Sequence, residues 1–196
     1  MTGAGDLLQH RGTVDRQLDP ADPDPAALAA LQAASFAGAG PGLRQAYPED
    51  RRLSGPELAA LLSRPGRLVV SSSRPDGRPR STPVSFLFAA GRFWLPTGAG
   101  AARARDVAHT PWLALALSEG GADRHRAVLV EGPAAVVAAA DLPGEVRRRA
   151  AALRMGGDWA AVWLRVEPHH LVSYASPGWS PGPAALTDPP GGEPGS

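Results

Sequence analysis

The 196-residue chain contains no cysteine, no lysine, no isoleucine and no asparagine. The first absence excludes disulfides, thiolate-held metals and a cysteine nucleophile. The other three residues share codons that begin with two A/T letters. Their joint absence, beside 23 Gly and 21 Pro, marks a very GC-rich genome, of the actinobacterial kind. Every cation except histidine is therefore Arg, so an Arg cluster says less about a polyanionic partner than it usually does. Twenty Arg against 19 acidic residues leave a net charge of +1, which is no basic footprint for nucleic acid. Long apolar runs are missing too: none approaches the roughly 18 residues of a membrane span. Residues 1–11 lack the basic-then-apolar plan of a secretory leader. The expectation is a cytoplasmic protein with no membrane and no nucleic-acid partner.

What is present divides by composition. Residues 1–50 read as a flexible, solvated arm around Asp19-Pro20-Ala21-Asp22-Pro23-Asp24-Pro25. Within it, Asp24 as N-cap and Pro25 at the first helical position open a short Ala/Leu helix that ends near Gly38. Residues 176–196 hold six Pro and five Gly and read as a disordered tail. Between these lies one core domain, residues 53–174. It opens on a capping box, Ser54-Gly55-Pro56-Glu57, with Leu53 and Leu58 as the hydrophobic staple. Pro65-Gly66 stops that helix. Strand patterns follow at 68–70, 80–88, 93–95, 112–117, 127–137, 159–166 and 171–174. Helices fall near 101–108 and 141–154. Tight turns join most of the strands, which predicts a mainly β protein: an antiparallel sheet of about six strands closed into a barrel, with peripheral helices.

Chemistry concentrates between Gly77 and Pro111. Thr97-Gly98-Ala99-Gly100 is a Gly-rich loop that runs into a helix carrying Arg103 and Arg105. Free backbone N–H groups at a helix start, with a guanidinium close by, suit a phosphate dianion. Arg80, opening a neighbouring strand, points to the same place. The alternative is a Gly-rich turn before a solvated helix, and the residue chemistry by itself leaves both open.

Three pieces in order carry a resemblance: Arg74-Pro-Asp-Gly-Arg-Pro-Arg-Ser-Thr-Pro-Val84, the loop and helix from Thr97 to Asp106, and Val128-Leu-Val-Glu-Gly-Pro-Ala134. Their order and spacing resemble the pyridoxamine 5'-phosphate oxidase-like split β-barrel family of flavin-binding proteins. The resemblance implies that Arg80 and Arg103 hold a flavin phosphate, assisted by Thr97 and the loop residues Gly98 and Ala101. It implies that the strand at Thr82, Pro83 and Val84 runs along the isoalloxazine ring, with Ser81 beside it and Ser85 near the reactive face. The chain departs from the family pattern in three ways. Ala101 and Ala102 replace a Ser and a basic residue, and Arg105 is a weak substitute because it does not share the face of Arg103. Ser85 stands where oxidases of pyridoxine phosphate often have Lys. The C-terminal Trp…Arg-Leu-x-Pro signature is absent. The implied function is a flavin-dependent oxidoreductase that moves a hydride to or from a small molecule, and not the vitamin B6 oxidase itself. FMN is the implied cofactor, held in a groove between the subunits of a homodimer. A deazaflavin is the alternative, its anionic tail calling on Arg67, Arg74, Arg78 or Arg105. A non-enzymatic barrel holding haem or a tetrapyrrole through His109, His169 or His170 is another. No catalytic acid or base and no metal site is nominated.

Other features carry local expectations. Arg147-Arg148-Arg149 with Arg154 reads as a solvated helix face. Trp94 and Trp112 read as core or dimer interface. Trp159 and Trp163, four residues apart, are expected on one face of a strand. Glu131 is expected to be buried and paired with Arg80 or Arg126.

Overall fold

The computed structural model describes residues 23–179. The tail expected from residue 176 lies mostly outside the described residues, as does most of the first half of the N-terminal arm. Helix α1, Pro25–Ala37, begins where Asp24 caps it, the carboxylate accepting the Ala26 amide at 2.9 Å. It is fastened to the barrel by side chains as well as by packing. Gln32 donates to the Leu53 carbonyl at 2.8 Å, and the Ser35 hydroxyl accepts the Leu171 amide at 2.9 Å. A short helix, α2 (Pro41–Ala46), leads to α3, Gly55–Leu62. There Glu57 accepts both the amide and the hydroxyl of Ser54, at 2.8 and 2.6 Å, which stops the first turn from fraying. Gly55 is required: a Cβ would sit 2.2 Å from the Pro25 carbonyl oxygen where α1 crosses it.

Seven strands follow, interrupted by α4 (Ala102–His109) and α5 (Gly144–Ala152). They are β1 (Gly66–Ser73), β2 (Pro79–Ala89), β3 (Arg92–Thr97), β4 (Trp112–Gly120), β5 (His125–Ala138), β6 (Val162–Val166) and β7 (His170–Ala175). All pair antiparallel. Six of them close a barrel in the order β1-β2-β3-β6-β5-β4, and β7 adds to the free part of β5. The expected closed antiparallel architecture is the observed one.

Closure depends on two long strands that change partners. On one edge β5 pairs with β7 over Arg126–Glu131 and with β6 over Ala134–Ala138. The change falls at Gly132-Pro133, where a Cβ on Gly132 would lie 1.8 Å from the Glu167 carbonyl oxygen. Glycine permits that close approach, and Pro133 supplies a carbonyl without needing a donor. Strand β2 does the same more openly: residues 79–86 pair with β1, but only 87–89 pair with β3.

Alternation along β2 sends Val84, Phe86 and Phe88 into the main core, with Leu58, Phe93, Leu95 and Leu164. The opposite face, through Leu87 and Ala89, meets α5 in a second apolar cluster with Trp94, Leu142, Val146, Ala150 and Trp163. One expectation is corrected here. Trp159 is not on a strand with Trp163; β6 begins only at Val162, and Trp159 is an exposed residue of the preceding turn. On the Arg-rich helix Arg147, Arg148 and Arg154 are exposed as expected, while Arg147 also donates to the Ala140 and Leu142 carbonyls and Arg149 to the Ser63 carbonyl. Among the described residues no helix is long and apolar enough to cross a membrane.

Candidate functional site

The open side of β2 is the natural place to look for a ligand. The β2–β3 hairpin turns through Ala90 and Gly91, both at positive φ (53° and 69°), the geometry of a two-residue type I′ turn. Such a turn makes Ala89 and Arg92 a hydrogen-bonded pair. By antiparallel alternation the backbone groups of Leu87, Ser85, Pro83 and Ser81 then face the β3 side. Beyond Leu87 no strand among the described residues occupies that side. Pro83, lacking an N–H, fits this phase, since it takes no donor from the β1 ladder. The free edge therefore presents the N–H groups of Ser81 and Ser85 and the carbonyls of Ser81, Pro83 and Ser85.

Helix α4 lies at the end of this edge and ties the two sides of the gap together. Arg103 and Asp106 are three residues apart and share one face. Asp106 reaches β2 and β1: it accepts Arg80 Nε at 2.9 Å and the Ser72 hydroxyl at 2.8 Å. Arg103 reaches β3, donating from Nε to Thr97 Oγ1 at 2.8 Å and from Nη2 to the Pro96 carbonyl at 3.3 Å. Thr97 is fully buried, so its hydroxyl is held for that purpose. Burial lowers the Arg103 pKa from its ordinary value, although an arginine stays charged. Burial would raise the Asp106 pKa, but the Ser72 and Arg80 hydrogen bonds and the charges of Arg80 and Arg74 outweigh it, so the carboxylate is held below its ordinary range.

The sequence-predicted residues divide accordingly. Arg80, Thr97 and Arg103 are brought to one helix, as are Gly98 and Ala101, whose carbonyl and amide bond at 3.0 Å to close the loop. Thr82 and Val84 share the inward-facing side of β2 with Arg80, while Ser81, Pro83 and Ser85 share the other side. Ser81 bonds the Ser71 hydroxyl at 2.9 Å. Arg105 is not part of the group: it is exposed and donates to the Gly100 carbonyl at 2.7 Å. Glu131 is a correction. It is exposed on β5, Arg80 pairs with Asp106, and Arg126 pairs with Glu119 at 2.7 Å. The histidines lie elsewhere. His169 meets Trp112 edge-on at 5.5 Å, His109 ends α4 exposed, and no group of three potential metal ligands exists among the described residues.

One contributor was missed from the sequence, Asp106, and a second, Arg74, was named only for a deazaflavin tail. Asp106 was legible as the one acid on an Arg-bearing helix, three residues after Arg103. Arg74 has a buried Nε with no hydrogen-bond partner, and its charge acts on Asp106. A buried guanidinium nitrogen left unpaired is costly unless a ligand completes it. The first amides of α4 add to this, because Ala101 provides no side-chain cap. The donor set fits a phosphate.

The fold and site define a class: an antiparallel split barrel with an uncapped, arginine-flanked helix start beside an open strand edge. Residues 54–173 match the family model described as pyridoxamine 5'-phosphate oxidase, and the chain belongs to that family. Among solved structures it is similar to a conserved hypothetical protein from Mycobacterium tuberculosis, at 20% identity and a TM-score of 0.52, over 66% of this chain and 89% of that one. It is also similar to an FAD-binding protein from Mesorhizobium loti, at 19% identity and a TM-score of 0.51, over 64% of this chain and 95% of that one. No curated protein matches the sequence.

Proposed function

We propose that this chain is a flavin-dependent oxidoreductase that holds FMN along the free edge of β2, with its phosphate at the start of α4. One observation carries the reading: α4 gathers Arg80 from β2 and Arg103 from β3 at one end of an open strand edge, beside the unpaired Arg74 Nε. Arg80 retains its terminal nitrogens after Nε is used, and Arg103 keeps one; these and the Ala102 and Arg103 amides would hold the phosphate. Ser81 and Ser85 amides and the Pro83 carbonyl would align the ring edge by hydrogen bonding. When bound, a flavin supplies the hydride-accepting ring, and the protein's part is orientation and electrostatics. The FAD-binding relative supports a flavin of some kind. FMN is favoured here because the donors form a single phosphate-sized cluster.

The reading includes a homodimer that covers the same face. Val69, 40% exposed, pairs in register with exposed Pro83, and Trp112, 42% exposed, lies on the neighbouring strand β4. An apolar patch next to an open edge suits a second copy better than water.

The test is the absorption spectrum of the purified protein, with mass spectrometry of what it releases on denaturation, followed by titration with FMN. A flavin spectrum, or saturable FMN binding, is expected. Arg103→Ala should weaken binding about ten- to a hundredfold, since hydrogen bonds to a charged group contribute about 1.5–3 kcal/mol. Release of a deazaflavin would move the assignment to that cofactor. A Soret band lost on replacing one histidine would move it to haem. A colourless protein that binds none of the three would overturn the proposal.

A further inference from the structure

A cavity of about 420 Å³ lies on the outside of the barrel between the C-terminal half of α5, the turn at 154–160 and β6, with no β2 residue among its lining. Its size falls within the roughly 300–1,000 Å³ usual for small-molecule sites. The walls are apolar, formed by Leu142, Ala150, Met155 and Trp163 among others. Arg147 and Arg154 are the charged residues that line it, and no acidic residue does.

The backbone at its mouth is strained in an informative way. Helix α5 ends in a complete Schellman motif: the Arg154 amide bonds the Ala151 carbonyl at 3.0 Å and the Met155 amide bonds the Ala150 carbonyl at 2.8 Å. The motif needs a left-handed residue at Arg154, and its φ is +50°. Glycine normally fills that position, because a side chain there costs on the order of 1 kcal/mol. The chain is rich in glycine and has Gly156 and Gly157 directly afterwards, yet places its longest cation here. The Arg154 side chain is exposed and makes no hydrogen bond or ion pair among the described residues. Favourable charge at a helix C-terminus is satisfied equally by a cation one turn earlier, as Arg149 shows. What Arg154 adds is a charge in the lining of an apolar cavity. Backbone strain kept at such a place is a signature of a binding role.

We propose that this cavity is a second ligand site, for a small amphipathic anion: a carboxylate or sulfonate on an aromatic or short aliphatic body. The apolar body lies against Trp163, Leu142 and Met155, and the anion meets Arg154, with Arg147 beside it. Arg147 already donates to the Ala140 and Leu142 carbonyls through Nη2, so it is fixed in place, while Arg154 is free to close on the ligand. The inference does not rest on the flavin reading, since none of the residues that would hold FMN lines this cavity.

The experiment is calorimetric titration of the full-length protein with 4-phenylbutyrate and, in parallel, with its uncharged amide. Saturable binding of the carboxylate is expected, with the amide at least tenfold weaker. Arg154→Gly should raise the melting temperature, because it relieves the left-handed strain, and at the same time weaken carboxylate binding about tenfold. Arg154→Asn, which also tolerates the left-handed region, should weaken binding likewise. Ala150→Phe, which fills the cavity without removing charge, should abolish it. The proposal is overturned if the carboxylate shows no saturable binding at millimolar concentration. It is overturned equally if the amide binds as well as the acid, or if the Arg154 and Ala150 variants bind as the parent does.

Discussion

Asp106 is the side chain on which the candidate site turns, and replacing it separates a supporting role from an incidental one. It is 3% exposed and accepts two hydrogen bonds on one oxygen, from Ser72, itself 5% exposed, and from Arg80. Asp106→Ala removes both and leaves the Ser72 hydroxyl buried without its partner. A lost hydrogen bond to a charged group costs about 1.5–3 kcal/mol. Arg80 regains some solvent, its side chain being 31% exposed, so its share falls at the low end. The total is about 3 kcal/mol, or roughly 6–12 °C in melting temperature for a chain of this length. Asp106→Asn keeps an acceptor oxygen and loses the charge, for about half that cost. The acid limb supplies an internal check. The folded pKa of Asp106 is depressed, so its contribution is fully present above the unfolded value, near 3.9, and is lost as pH falls through the folded value. Denaturation curves of parent and Asp106→Asn should therefore differ at pH 7 and begin to draw together only as pH falls below about 4. A double-mutant cycle with Arg80→Met should give a coupling of about 1–2 kcal/mol. A coupling below about 0.3 kcal/mol, or a stability difference that persists unchanged at pH 2–3, would refute the ion pair as the element that holds Arg80 to α4.

Other substitutions test how the site is framed. Gly132→Ala should be among the most damaging single changes, about 3 kcal/mol or more by chemical denaturation, because its Cβ meets backbone at 1.8 Å where neither strand has room to yield. Gly55→Ala should loosen α1 from α3, costing about 2 kcal/mol and speeding amide exchange in α1 more than in β5. Glu57→Ala should cost about 1 kcal/mol through the lost cap on α3, with cofactor binding unchanged. Thr97→Val should leave the barrel folded and weaken FMN binding several-fold, because Arg103 then loses the hydroxyl that orients it.

Local signals were the readable ones. The starts of α1 and α3 are set by residues within four positions of one another, Asp24-Pro25 and Ser54 to Glu57, so a linear reading suffices. The hairpins are similarly local. The phase of β5 was also in the sequence: Val128 and Val130 point inward, so Glu131 between them and Gly132 must point out. Placing Glu131 in the core ignored that alternation. Trp159 was misplaced because a spacing of four suits a strand only if the strand reaches that far, and the turn running through Gly157 to Ala160 delays β6 to Val162. The contact between Asp106 and Arg80 spans 26 residues, and nothing local to either one announces it. The same is true of the cavity under α5, which exists only once β6 and the 154–160 turn come together.

The site and the architecture have one cause. A barrel of six strands needs β2 and β5 each to serve two sheets, and a strand that changes partners leaves an edge unpaired at the change. On β5 the chain fills that edge itself: β7 takes the vacant length, and α1 covers β7 through Ser35 and Gln32. On β2 no described segment does so. An open edge beside exposed apolar side chains invites aggregation, and such edges are blunted with proline or covered. Pro83 removes one donor, but Ser81 and Ser85 remain flanking it. A sequence under pressure only to silence this edge would place charge or further proline at those two positions. Small hydroxyl residues, which let another molecule approach the backbone, argue that the edge is kept open for an occupant. Under the proposed reading, the cations that α4 gathers at its end would hold that occupant's phosphate.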